Sequence, residues 1–201
     1  MLILISCKST DETVFDYDSR LLLIQNAKES VLQIEQDSYL KTIEITMPES
    51  WDYYKEELPS FESIEYDIKL TLNQILHSNT SIIVNTIFKY LINLDLREID
   101  DKELVTLDSM TAKIAKDANL QDIIYNILND NIDIINEKYM KAEKIATILK
   151  TNLDNLNLVD KKVEVKSIEK LSIHEITESI YIQLLAELAK NEIKIRNTAN
   201  D

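Results

Sequence analysis

Tyr125-Asn126-Ile127-Leu128-Asn129-Asp130-Asn131-Ile132-Asp133-Ile134-Ile135-Asn136-Glu137-Lys138-Tyr139 opens the stretch that decides the fold, which continues through Ala142, Ala146, Leu149, Leu153 and Leu156. At Tyr125, Leu128, Ile132, Ile135, Tyr139, Ala142, Ala146, Leu149, Leu153 and Leu156 an apolar side chain recurs every three or four residues, the spacing of a heptad seam. Read as one continuous helix, residues 125–156 make a rod of roughly 48 Å at about 1.5 Å per residue and set the long axis of the molecule. Ile124, Ile127, Ile134, Ile145 and Ile148 flank the seam, with Ile127 at its margin. They widen the stripe beyond what a two-stranded coiled coil buries, so the stretch predicts a bundle helix with partners on more than one side. Ala142 and Ala146 are its small residues, where a neighbouring helix approaches most closely.

The rest of the composition agrees with helix. The 201 residues contain no Gly, which removes the phosphate-cradling loops of dinucleotide-binding and P-loop folds. Pro occurs only at positions 48 and 59, so residues 60–201 lack both strong helix breakers. The expected fold is all-α, an elongated bundle of about five to seven helices around one long central helix. The length suits one domain, with residues 1–18 as leader and polar tether and 19–201 as a single helical bundle.

Outward from the seam, a first helix is expected from Ser19, with Leu21, Ile24, Val31 and Ile34 on one stripe and Leu32, Tyr39 and Ile43 beside it. It should end just before Pro48, because a residue preceding proline is pushed out of helical geometry. Ser60 opens a helix through Phe61, Ile64, Ile68, Leu72 and Ile75. The next carries Ile83, Ile87, Tyr90, Leu91 and Leu94. Asp100 and Glu103 form a capping box before Leu104, Leu107, Ile114 and Ala118. Lys162-Val163-Glu164-Val165-Lys166 alternates with period two, as a short extended connection does. Ser172-Ile173-His174-Glu175 is a second capping box, opening a last helix with Ile176, Ile180, Leu184 and Leu188 inward and Lys190, Lys194 and Arg196 near its C-terminal end, where cations suit the dipole.

A formal net charge of −14 argues against a nucleic-acid partner, whose binding depends on Lys and Arg neutralising phosphates. It also weakens adsorption to anionic lipid. An acidic face attracts a basic protein partner or simply keeps the chain soluble. The single Cys allows neither an internal disulfide nor a zinc site of several thiolates.

Catalytic chemistry has little to stand on. His174-Glu175-Ile176-Thr177-Glu178 begins like a helical zinc-protease motif, but Glu178 stands where the second His belongs. A di-iron bundle needs Glu-x-x-His on two helices; here Gln74 lies three before His77 and Leu171 three before His174. No enzyme activity, metal or cofactor is expected. Between the two prolines, Trp51, Tyr53 and Tyr54 form the most aromatic segment. They are the candidate ligand-binding residues, since Trp and Tyr dominate binding hot spots; the alternative is that their rings plug one end of the bundle.

Leu4-Ile5-Ser6-Cys7 resembles a bacterial lipobox, in which the peptidase cuts before the Cys and that residue is acylated; Cys7 is the candidate lipidation site. The polar run 8–13 then looks like a tether. Six residues precede Cys7 and none is basic, whereas a signal peptide has a basic segment and an apolar run of about 7–15 residues. Either the leader extends upstream, or a greasy run opens the first element. This start, the polar tether and the glycine-free body rich in Ile, Asn and Lys together resemble the plasmid-encoded outer-surface lipoproteins of Borrelia-type spirochaetes. The helical members of that group include proteins that bind complement regulators. The resemblance implies a lipid-anchored chain at the bacterial outer membrane that binds an extracellular host protein in immune evasion, without enzymatic activity. An intracellular helical adaptor in the cytoplasm, pairing through the long stripe as a homodimer or with another protein, stays open beside it.

Overall fold

The computed structural model describes residues 17–95, 109–157, 168–170 and 172–198. Among the described residues the chain is all-α, with eight α-helices. In chain order they are α1 (Tyr17–Gln36), α2 (Ser50–Glu57), α3 (Phe61–Ser78), α4 (Thr80–Asn93), α5 (Met110–Asp117), α6 (Leu120–Asp130), α7 (Ile132–Asn157) and α8 (Ile173–Thr198), with a 3₁₀ turn at Tyr39–Lys41 after α1. The buried apolar side chains form one contiguous core running from Ile24 in α1 to Leu188 in α8.

The central helix is α8, and this corrects the expectation placed on the 125–156 seam. Helices α1, α5 and α6 all pack around α8, and Ile176, Ile180, Leu184 and Leu188 are buried as its stripe requires. Ser30 donates its hydroxyl to the carbonyl of Leu188 at 2.7 Å, and the hydroxyl of Tyr39 reaches the carbonyl of Gln183 at 3.3 Å. Rising numbers in α1 thus meet falling numbers in α8, and the two helices are antiparallel. The Ser172 hydroxyl accepts from the Glu175 backbone N–H at 3.4 Å, half of the expected box.

The seam itself is broken. Asn131 leaves helical geometry (φ −107°, ψ 16°), its amide donates back to the carbonyl of Ile127 at 2.8 Å, and its own carbonyl receives the backbone N–H groups of Ile134 and Ile135. A short polar side chain that satisfies backbone groups locally competes with helix continuation, and here it ends α6 and starts α7. The same device recurs at Asn79, whose amide donates to the carbonyl of Ile75 at 2.7 Å. With no Gly available, the left-handed turns fall to Ser38 (φ 52°) and Asn119 (φ 53°), Asn being one of the few other residues that tolerate them. Helix α7 is peripheral: it packs on α3 and touches α6 near its start. Ile135, Tyr139, Ala142 and Ala146 face inward, whereas Ile134 is 47% exposed and Ile148 51%. Ile127, expected at the margin, is buried.

Helix α1 stops at Gln36, well short of Pro48. Ser38 turns the chain, and the following Thr42-Ile43-Glu44-Ile45-Thr46 is rich in β-branched residues, which favour extended backbone. The helix expected to open at Asp100 begins, among the described residues, at Met110, where the Ser109 hydroxyl accepts from the Ala112 N–H at 3.1 Å. The Asp100–Glu103 box, Leu104, Leu107 and the alternating 162–166 run lie outside the described residues.

One buried charge ties the ends of two elements together. The Glu192 carboxylate of α8, 0% exposed, sits at the N-terminus of α5. It accepts from the Ser109 hydroxyl at 2.7 Å, from the Thr111 hydroxyl at 2.7 Å, and from the backbone N–H of Thr111 at 2.8 Å and of Met110 at 3.3 Å; Arg196 pairs with its other side. A carboxylate at a helix N-terminus takes up orphan N–H donors and complements the dipole.

Candidate binding groove

The site is built on segment 43–48, which is neither helix nor strand and runs between α3 and α8, bonded to Asn73 of one and Gln183 of the other. Its side chains alternate: Ile43 and Ile45 are buried, Glu44 and Thr46 exposed. Such alternation is the period of a strand lying on a core, yet no strand neighbours it among the described residues. Side-chain amides stand in for one. Gln183 of α8 accepts from the backbone N–H of Glu44 at 3.0 Å and donates to the carbonyl of the same residue at 2.7 Å. On the other edge Asn73 of α3 donates to the carbonyl of Ile43 at 3.2 Å. Beyond these contacts no group among the described residues hydrogen-bonds to the main chain of Ile45, Thr46 or Met47.

A groove opens on each side. One, of about 650 Å³, lies toward α8 and is lined by Ile45, Thr46, Met47, Pro48, Glu169 and Lys170, together with Ser172, Glu175, Ile176 and Ser179. The other, of about 640 Å³, lies toward α3 and carries the charged set Lys41, Glu44, Asp52, Lys55, Glu65 and Lys69. Within it the buried Glu65 carboxylate meets Lys69 at 2.6 Å and Lys55 at 3.0 Å, and Lys55 also meets Asp52 at 2.6 Å. Burial pushes the Glu65 carboxyl upward, but the hydrogen bonds from Lys69 and Lys55 outweigh it and leave the pKa below the usual carboxylate value. A carboxyl depressed on folding adds stability that is present above its unfolded pKa and lost as pH falls through the folded one. Thermal unfolding followed below the ordinary Glu pKa, about 4.3, should therefore show wild type losing midpoint faster than Glu65→Gln as acid is added. Parallel curves would mean that the Lys55–Glu65–Lys69 cluster adds nothing to holding α2 on α3.

The aromatic trio does not form a presented site, and the expectation of a ligand-binding surface at Trp51, Tyr53 and Tyr54 is corrected by burial. Trp51 is 0% and Tyr54 1% exposed. The Trp51 ring lies 5.2 Å from Phe61 and 6.2 Å from Tyr139, Tyr54 stacks on Phe61 at 5.4 Å, and the Trp51 indole N–H donates to the carbonyl of Glu169 at 3.0 Å. Tyr53, half-buried, meets Tyr54 edge-on at 5.3 Å, and burial with the Glu57 charge raises its pKa. The prolines deliver these rings inward, as an end plug. Ser50 accepts from the Glu169 N–H at 3.1 Å beside them, so α2 also holds the 168–170 strand of chain that borders the larger groove.

Cys7 lies outside the described residues. His174 sits exposed in the first turn of α8 with its ring 4.8 Å from that of Tyr125. Among the described residues no group of three His, Cys, Asp or Glu side chains could hold a metal ion, and no helix is long and apolar enough to cross a membrane. Sequence reasoning missed Gln183 and Asn73, the two residues that hold the segment. The available signal was the alternation Ile43-Glu44-Ile45-Thr46 ahead of Pro48. If Gln183 is what positions the segment, Gln183→Ala should cost about 0.5–1.5 kcal/mol in a urea series, because the two main-chain bonds it loses are exposed and water can take them over, and amide exchange at Glu44 should quicken. Exchange at Glu44 unchanged in the variant would show that burial of Ile43 and Ile45 alone suffices.

Compared with protein-family models, curated proteins and solved structures, the chain matches none.

Proposed function

We propose that the chain is a non-enzymatic, lipid-anchored binding protein of a bacterial outer surface, held through Cys7 and presenting its helical domain to an extracellular host protein. The observation that carries this is the run Leu4-Ile5-Ser6-Cys7 with a polar tether directly behind it. What supports the binding half is the surface itself: two grooves either side of segment 43–48, whose main chain has no partner among the described residues at Ile45, Thr46 and Met47. An acidic chain of this charge favours a basic patch on the partner.

The chain expressed in a bacterial host with its own upstream coding sequence should yield, by mass spectrometry, an acylated residue at Cys7, and protease added to intact cells should remove the protein. Cys7→Ser should lose the acyl mass. An unmodified Cys7 in a chain that protease cannot reach would defeat the proposal. One observation favours a second reading, an adaptor that pairs through α7: Ile134 and Ile148, two heptads apart, and Met140 stand exposed on that helix, and sustained apolar spacing of that kind suits a partner helix.

A further inference from the structure

We propose that segment 43–48 is an open strand edge that receives an extended, basic peptide of a partner protein along its α8 side; this deepens the binding reading above and rests on it. Backbone groups on one edge of an extended chain belong to alternate residues. On the α8 edge these are Glu44 and Thr46. The N–H and carbonyl of Glu44 are both taken by Gln183, at 3.0 Å and 2.7 Å, so a side-chain amide occupies the place of a neighbouring strand's peptide group. One step further along, the same two groups of Thr46 have no partner among the described residues. The chain there flanks a groove of about 650 Å³, and strands pair at about 4.8 Å.

The open N–H and carbonyl of Thr46 are one donor and one acceptor on the same edge, the pair that a residue of an added strand engages in recognition by strand addition. Pro48 ends the edge, since it has no N–H to offer, which restricts pairing to a short register. Met47 and Ile176 give an apolar wall for alternate side chains, while Glu169 and Glu175 against the single Lys170 leave the groove acidic. The favoured occupant is therefore an extended segment in which apolar residues alternate with Lys or Arg.

The probe is a dye-labelled Lys-Val-Lys-Val-Lys peptide, acetylated and amidated, read by fluorescence anisotropy against the full chain. Two further versions carry N-methyl groups on alternate amides, so that each blocks one edge of the peptide. The expected result is that one methylated version binds like the parent and the other about tenfold or more weakly, as loss of paired backbone bonds requires. Thr46→Pro should weaken the parent by about tenfold with an unchanged thermal midpoint, because an exposed extended residue accepts proline; Thr46→Ala should bind as wild type. Equal binding of both methylated versions would mean attraction by charge alone and overturn the proposal, as would no binding at millimolar peptide.

A dimer that Thr46→Pro dissolves would assign the edge to a second copy and also overturn it. So would peptide binding that appears only when Val163 and Val165 are changed to Asp, which would assign the edge to the chain's own alternating run. Wild type and Thr46→Pro capturing the same host proteins equally would overturn the edge and leave the surface-binding reading standing. Peptide pairing without capture of any host protein would sustain the edge and remove that reading.

Discussion

Glu192→Ala is expected to destabilise the fold by about 3–5 kcal/mol, the range for removing one partner of a buried charge pair. The carboxylate answers the hydroxyls of Ser109 and Thr111 and two backbone N–H groups at the start of α5, and it neutralises Arg196. Truncation strands the Ser109, Thr111 and Met110 donors where they are buried, while Arg196, 29% exposed, keeps access to water, and each buried orphan adds its own desolvation penalty. Against a total stability of about 5–15 kcal/mol, such a loss removes between about a fifth and all of it. Urea denaturation of wild type, Glu192→Ala and Glu187→Ala gives the comparison. Glu187 pairs with exposed Lys190 at 3.1 Å and should change stability by no more than about 0.5 kcal/mol. A Glu192 variant as mild as the Glu187 variant would show that water enters and serves the α5 N-terminus.

Trp51→Ala should cost about 3–5 kcal/mol, as aromatic truncation in a core does. The ring fills the space between Phe61 and Tyr139, and its N–H is the donor that the Glu169 carbonyl uses. Trp51→Phe should recover most of the packing but leave that carbonyl unpaired, and so fall between wild type and Ala. A thermal midpoint unchanged in Trp51→Ala would contradict the plug and return the aromatic segment to the surface. The two sites share no partner, which makes a near-additive double variant the expected outcome.

Helix class was legible because absence of Gly and scarcity of Pro leave few ways to end a helix, and α8 was legible nearly residue by residue: Ser172 starts it and Ile176, Ile180, Leu184 and Leu188 are its inner face. The break at Asn131 was not, since heptad spacing runs straight through it from Leu128 to Ile132; only the polar triplet Asn129-Asp130-Asn131 marks the place. Nor could stripe width say that α7 lies at the edge, because the exposed Ile134 and Ile148 are as apolar as buried ones. For the candidate groove, the strand-like alternation at 43–46 was visible but was absorbed into an over-long first helix. Gln183 and Glu192 could not be found from local pattern at all. Each is a polar residue on a helix, and its partner lies across the fold, 139 positions away for Glu44 and 83 for Ser109.

The antiparallel seating of α1 on α8 has a spatial consequence for a chain held by its N-terminus. In the proposed arrangement the tether of residues 1–18 leads into α1 at its Tyr17 end, whereas segment 43–48 follows the opposite end, and a 20-residue helix spans about 30 Å. Anchored at Cys7 with α1 standing upright, the molecule would hold its open edge at least that far above the lipid headgroups, beyond the Debye length of about 8 Å at physiological salt. At that height the negative potential of the membrane would no longer compete for a basic peptide, and the groove would meet its proposed partner in bulk solution.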